Sequence, residues 1–516
     1  MVKKNNNLIA PANLKTGYIT VLFAAAVLYI ITCAPGQVWQ DSGMYQYRIW
    51  HNDIEGKLGL ALSHPLYHII GIGAKYIPLG EFGYRTNLIS SIAGAFAVAN
   101  LFLLLRLWLN RTLPAIIAAL TLALSYTMWR HAVITESYTL YTALLSAELL
   151  MLLQYVKTKR IVFLYLLGFL NGLAIANHML GSIAFVCYLV FTVTLVIKRK
   201  IRKLDFAAMI LLWIIGALPY EYLIVRNILQ TGDFWETMAS AAFGTSWQGA
   251  VLNASLSSRI VIENLIMMAY NFPTPNCLFF FTGLYALKKI SPSRGFTNIL
   301  LALLILFFVF AFRYTIPDRY AFFIPFYYLA SIQIGLGFNL LINNLPNRRI
   351  LAYLAVLFAL LPVPIYAITP VLAQKMNFKL PTKRIIPYRN DYVWFLQPWK
   401  TGYYGAEQFA NEALDIVEDG AIIYADGTTV YPLLYAQYAG GKRRDVTIVS
   451  DHGSVNNLKK YNEEVINKLL AERPVYVVTP MSGYCPSFLL DRYEFKQMEV
   501  LWKIIAPDAI STENGY

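Results

Sequence analysis

The chain has 516 residues, of which 57% are hydrophobic and only 14% charged, and it carries a net charge of +14. Soluble proteins carry about a quarter charged residues, so the composition excludes a soluble globular enzyme and reads as a polytopic membrane protein. The basic residues are divided among short connecting loops rather than gathered on one face, which excludes a nucleic-acid partner.

In chain order, apolar runs of helix-spanning length, roughly 17–25 residues, recur from Tyr18 to Leu372. They predict about eleven transmembrane helices, near 18–34, 84–107, 113–128, 136–156, 162–179, 181–198, 206–226, 264–287, 297–312, 320–342 and 350–372. The pair at 162–198 is short enough to be tilted or re-entrant. The first run is longer than a signal-peptide core, and Thr32-Cys33-Ala34-Pro35 lacks a small-x-small cleavage pattern, so it reads as a retained anchor. Lys3, Lys4 and Lys15 mark the N-terminus as cytoplasmic. Alternation then places Arg106/Arg111, Lys157/Lys159/Arg160, the run 198–203, Lys288/Lys289/Arg294 and Arg348/Arg349 on that same side. The expected location is therefore a multi-pass plasma (inner) membrane, with the Asp41 loop, the Arg130-His131 loop and the C-terminal tail outside. Four cysteines at 33, 187, 277 and 485, without a CxxC pair, suggest neither a disulfide framework nor a zinc site.

The chain divides at about residue 380, giving a membrane domain over 1–380 and an extracytoplasmic α/β domain over 381–516. Tyr388–Trp399 is an aromatic, Pro-flanked linker of the kind found at headgroup level. Beyond it, helical patterns at 404–418, 431–438 and 461–471 alternate with strand patterns at 421–425, 446–449 and 475–479, predicting a small parallel sheet. The carboxyl ends of those strands, where ligands favour such sheets, carry Asp426-Gly427, Asp451-His452 and Thr479. Asp and Gly there more often make turns.

Charge is scarce in the membrane half, so the polar islands on its outer side stand out. The first is Trp39-Gln40-Asp41-Ser42-Gly43, and the second is Ser63-His64-Pro65-Leu66-Tyr67. Arg130, His131, Glu136, Asn177, His178, Asp318 and Arg319 fall on the same side. Each has an ordinary alternative: Asp41-Ser42 and Glu136 as helix caps, His64-Pro65 as a turn, Arg130 and Arg319 reaching to headgroups. Together, cations and carboxylates at one face suit a substrate with a phosphate head and a lipid tail, with Asp41 as general base on an acceptor hydroxyl.

Several stretches resemble the GT-C superfamily of polyprenyl-phosphate-dependent membrane glycosyltransferases, in the branch of bacterial protein O-mannosyltransferase-like proteins. They are Trp39–Gly43, Leu62–Tyr67, Thr135-Glu136-Ser137-Tyr138-Thr139-Leu140, Gly172–His178, Ile316–Pro325 and Gly420–Asp426, in order along most of the chain. The resemblance implies a GT-C-like helical core, a catalytic Asp at Asp41 and a donor sugar on polyprenyl monophosphate. The family often reads His-Pro-Pro where this chain has His64-Pro65-Leu66. The reading is an inverting glycosyltransferase that moves a mannose-like hexose to a hydroxyl acceptor on protein, glycan or lipid. His64, Arg130, His131, Glu136, Asn177, His178, Asp318 and Arg319 would bind substrate. The rival is a lipid or solute transporter or flippase, which wants ionisable residues at mid-membrane; Glu148 is one of the few there. Asp41, Asp53 and Glu55 offer oxygens to a divalent cation, but isolated carboxylates do not establish one, so neither metal ligand nor cofactor is assigned.

Overall fold

The computed structural model describes residues 11–244, 248–253, 255–316, 318–380, 384–450 and 463–505. Lys3, Lys4, Pro317 and the Asp451-His452 pair lie outside the described residues. Seven helices are long and apolar enough to cross a membrane, or eight if the bent pair Thr112–Ala123 and Tyr126–Ala132 is one span. All eleven apolar stretches are helical, but they are not eleven regular spans. Val162–Asn177 and Gly181–Ile197 are shorter apolar helices, and the pair at 112–132 bends by 66°. The stretch expected at 264–287 is broken into Ser258–Asn271, a 3-10 turn at Pro275–Leu278 and Phe279–Ile290.

The break follows from Pro273 and Pro275, which donate no backbone hydrogen bond and clash with a continuing helix. The freed backbone must be satisfied inside the protein, because lipid offers it nothing. Thr274 Oγ1 accordingly donates to the Phe358 carbonyl at 2.7 Å, and Asn276 Nδ2 to the Ala355 carbonyl at 2.7 Å. Asn271 Oδ1 accepts from the Thr127 amide at 3.0 Å, just after the bend of the neighbouring pair. Two interrupted helices thus support one another at the level of the candidate site.

Elsewhere helices approach without room for side chains. A Cβ on Gly172 would lie 2.1 Å from the Trp213 carbonyl oxygen, across the contact between Val162–Asn177 and Lys203–Thr231. Small residues are what allow such packing in lipid. Gly172→Ala is therefore expected to destabilise by about 1–3 kcal/mol, read as a lower Tm in detergent. Gly73→Ala, where the new methyl meets nothing within 4 Å, should leave Tm close to the parent's.

The C-terminal part forms a five-stranded sheet: β1 Ile422–Tyr424, β2 Thr447–Val449, β3 Val475–Val477, β4 Glu494–Met498 and β5 Leu501–Ile505, in the order β2-β1-β3-β5-β4. β1 runs parallel to β2 and β3, as the alternating pattern predicts, while β5 is antiparallel to β3 and β4. The β4–β5 hairpin was not expected. This layer shares its apolar core with the segment after the first membrane helix: Trp39, Tyr45, Tyr47, Ile49 and Tyr67 pack in one cluster with Trp394, Phe409, Tyr431 and Val478.

Candidate active site

The island at Trp39–Gly43 opens a helix, Gln40–Trp50, that is pinned on every side. Gln46 Oε1 accepts from the Val38 amide at 3.2 Å, while its Nε2 donates to the Gly83 carbonyl at 3.2 Å and to Asn87 Oδ1 at 3.3 Å. Asn87 in turn donates to the Gly36 carbonyl at 2.9 Å, and Thr135 Oγ1 donates to Asn87 Oδ1 at 2.6 Å. Trp39 Nε1 donates to Tyr403 Oη at 3.2 Å. Gly43 is required here, since a Cβ would stand 2.5 Å from the Val38 carbonyl and 3.0 Å from Tyr431 Cβ. Asp41 is fixed by this frame rather than by a cap: the capping position is Trp39, which makes no side-chain cap.

Asp41 borders a cavity of about 1430 Å³ that reaches from the membrane helices to the α/β layer. It is enclosed by protein, yet it keeps accessible surface; the surface it exposes is the cavity's. Two more carboxyls, Glu136 and Asp318, line the same space. Glu136 is no cap either, because its Oε1 accepts from Ser42 Oγ at 2.9 Å. Its carboxyl is pushed up to about 8, first by burial and then by the charge of Asp41. Burial, and then Asp41, raise Asp318 as well, and burial raises Asp41. Three acids facing one cavity cannot all be ionised cheaply.

His64, His131 and His178 also line the cavity. His64 adopts a left-handed conformation (φ +48°) ahead of Pro65. Its Nδ1 lies 2.8 Å from the Asn177 carbonyl and so donates to it, leaving Nε2 as the acceptor. Burial lowers its pKa to about 4, so the ring is neutral near pH 7. His178 Nδ1 accepts from the Leu180 amide at 3.1 Å, and the two imidazoles lie 4.8 Å apart.

Arg130 is buried and, among the described residues, has no carboxylate within 4.0 Å. It donates to the Trp394 carbonyl and, at 3.1 Å, to Tyr320 Oη. A buried guanidinium without a counter-ion is costly, and its place on the cavity wall supplies a reason. Around the Trp394 indole stand Arg130 at 5.1 Å, Arg389 at 5.5 Å and Lys400 at 5.3 Å. Arg389 also lies 2.9 Å from Asp391.

Two expected site residues do not line the cavity. Asn177 instead holds the frame, donating to the Ser137 carbonyl at 3.0 Å and accepting from His64. Arg319 is turned away and neutralised: its Nε donates to Asn264 Oδ1 at 2.8 Å and another nitrogen pairs with Glu263. The reason is local, because the helix Ser258–Asn271 presents a carboxylate and an amide to that guanidinium. The carboxylates considered for a divalent cation do not converge. Asp53 accepts from the Glu55 and Gly56 amides at 3.0 and 2.8 Å, and Glu55 pairs with Arg226 and Asn227.

The tail contributes wall residues too: Asp426 stood out at a strand end, whereas Arg384, Arg389 and Tyr484 were missed. Arg384 Nη2 donates to Asp426 Oδ1 at 2.6 Å and its Nη1 to Thr479 Oγ1 at 3.0 Å, tying the ends of β1 and β3 together. Arg384, Arg389, Asp426 and Tyr484 all border the cavity. The available signal was the set of cations among the aromatics of the linker, which reads equally as a headgroup anchor.

The carboxyl shifts fix a pH dependence. Their native pKa values lie above those of the unfolded chain, so the fold holds protons that the unfolded chain has lost. Stability from this cluster is greatest on the acid side and falls as pH rises to about 8. Activity that needs ionised Asp41 should rise with pH along a limb displaced above the ordinary carboxylate range, because burial raises Asp41. In Asp318→Asn, which removes a negative neighbour, that rising limb should move to lower pH in a kcat/KM profile; an unmoved limb would separate the two carboxyls electrostatically.

The architecture matches the solved structure of ArnT from Cupriavidus metallidurans in the apo state, with a TM-score of 0.62 at 15% identity, over 95% of this chain and 98% of that one. The ArnT structure bound to undecaprenyl phosphate matches at 0.57 and 14%, with the same coverage. Both likenesses are to the GT-C fold. Residues 62–204 match the family described as the protein O-mannosyl-transferase TMEM260 N-terminal domain, and the chain is a glycosyltransferase by class. That match contains His64, Arg130, His131, Glu136, Asn177 and His178 but not Asp41, whose role stands on geometry. Among curated proteins none matches in sequence.

Proposed function

We propose that the protein transfers a mannose-like hexose, with inversion, from a polyprenyl-phosphate carrier to a hydroxyl acceptor, a protein Ser or Thr by analogy with the matched family. The carrying observation is the single cavity that joins a free carboxyl to an unpaired cation and an apolar flank. Asp41 stands at one wall, Arg130 at another, and Ile266, Phe310, Phe322, Leu372 and Met376 offer a surface for prenyl units. Asp41 takes the acceptor's proton as the hydroxyl oxygen attacks the anomeric carbon. The bond from that carbon to phosphate oxygen breaks, and the phosphate leaves with the electron pair. Arg130, with Arg389 beside it, stabilises the charge that develops there. The products are the glycosylated hydroxyl and polyprenyl phosphate. The positive-inside distribution supports an extracytoplasmic cavity and tail. The test is to incubate purified protein with a panel of polyprenyl-phosphate sugars and hydroxyl acceptors and to follow transfer. Transfer from the mannosyl carrier with inverted anomeric configuration is expected; retention, or transfer only from nucleotide sugars, would overturn the reading.

A further inference from the structure

A second cavity lies far from the first, on the opposite membrane face. Tyr138 borders the active-site cavity and Lys159 borders this one, and they stand at opposite ends of a 21-residue helix, a separation of about 30 Å. Its volume is about 660 Å³, and its wall carries Lys159, Arg199, Lys200, Arg202 and Lys203 against one acid, Asp205. That acid is already committed. Arg202 holds it at 2.8 and 2.9 Å, and Tyr165 Oη donates to it at 2.8 Å. Among the described residues the other four cations have no carboxylate within 4.0 Å.

The backbone at two of these cations is informative. Helix Gly181–Ile197 ends with the Arg199 amide donating to Val196 and the Lys200 amide to Leu195, at 2.9 and 2.8 Å. This closure puts a left-handed residue after the helix, a position that normally takes Gly; here Arg199 occupies it at φ +54°. Lys159 ends its own helix at φ +60°. Both helix ends therefore accept backbone strain to place a cation at the same cavity. The remaining wall is apolar, with Val196, Ile197 and Ile201, and it continues into the exposed side chains of Ile197 (74%) and Leu204 (71%). A soluble anion gains nothing from such a wall, whereas a lipid has an acyl chain to lay on it.

We infer that this cavity binds the phosphate headgroup of an anionic phospholipid of the leaflet opposite the active site. Basic pockets between transmembrane helices recognise headgroups in this way. The site is independent of the transfer reaction, so its test stands apart from it. The experiment uses the full chain in detergent, with binding of phosphatidylglycerol, phosphatidylcholine and inorganic pyrophosphate followed by native mass spectrometry. The informative variant is Lys159→Gly/Arg199→Gly, because glycine suits both left-handed positions and leaves the fold intact. Phosphatidylglycerol should bind the parent in preference to phosphatidylcholine, and the double variant should lose about tenfold in affinity with no fall in Tm. Lys288→Gln/Lys289→Gln, on the same face but outside the cavity, should bind as the parent does. Unchanged affinity in the glycine variant, or an equal loss in the Lys288/Lys289 variant, would overturn the assignment. So would pyrophosphate binding as tightly as phosphatidylglycerol.

Discussion

Asp41→Asn should lower turnover by roughly 10²-fold or more while donor affinity stays near that of the parent. Asparagine keeps the size and shape of the side chain and removes only the basic oxygen. Among the described residues Asp41 makes no side-chain hydrogen bond or ion pair, so no structural contact is lost. Its ionised form is disfavoured by enclosure, and replacing it relieves that penalty near neutral pH. The variant should therefore melt at the same temperature as the parent or slightly above it. A structural carboxylate would behave in the opposite way, losing Tm without a selective loss of turnover. Near-parent turnover in a well-folded Asp41→Asn protein would end its assignment as the base. The measurement is single-turnover transfer together with a binding titration of a polyprenyl-phosphate analogue.

Arg130→Met should weaken binding of that analogue by about 1.5–3 kcal/mol, the size of a hydrogen bond to a charged group, which is roughly 10- to 150-fold in Kd. Methionine retains the apolar stem that lies among Tyr320, Trp394 and Phe395, so packing is largely kept. Arg130→Lys should recover only part of the loss, because a point charge does not replace a fork of donors. Arg319→Ala separates the two guanidinium residues. It orphans Asn264 and Glu263 and should cost about 1–3 kcal/mol of stability, with donor affinity unchanged in the folded fraction. The reverse pattern, affinity lost at Arg319 and kept at Arg130, would relocate the phosphate.

The sequence alone reached the class, the membrane character and several residues that border the candidate site, for a physical reason. Hydrocarbon excludes charge, so a chain that keeps Asp41, Glu136, Arg130 and Asp318 beside its apolar runs concentrates chemistry where those residues meet water. Period and length likewise located the helical stretches and three of the five strands. Sequence could not decide which side chains face one another. Arg319 follows Asp318 directly, yet Asp318 borders the cavity while Arg319 is captured by Glu263 and Asn264, a partnership set by a helix about fifty-five residues away. Tertiary packing also enlisted the tail: Arg389 and Trp394 meet Arg130 across more than 250 positions, and Asp426, which local rules assign to a turn, becomes part of the cavity wall through Arg384. Span regularity was decided there too, because Pro273 and Pro275 mark where a helix must stop, while only neighbouring carbonyls at Phe358 and Ala355 show how the break is satisfied. Hydropathy is a property of each segment, whereas hydrogen-bond partners and counter-ions belong to pairs, and pairs distant in sequence exist only once the chain is folded.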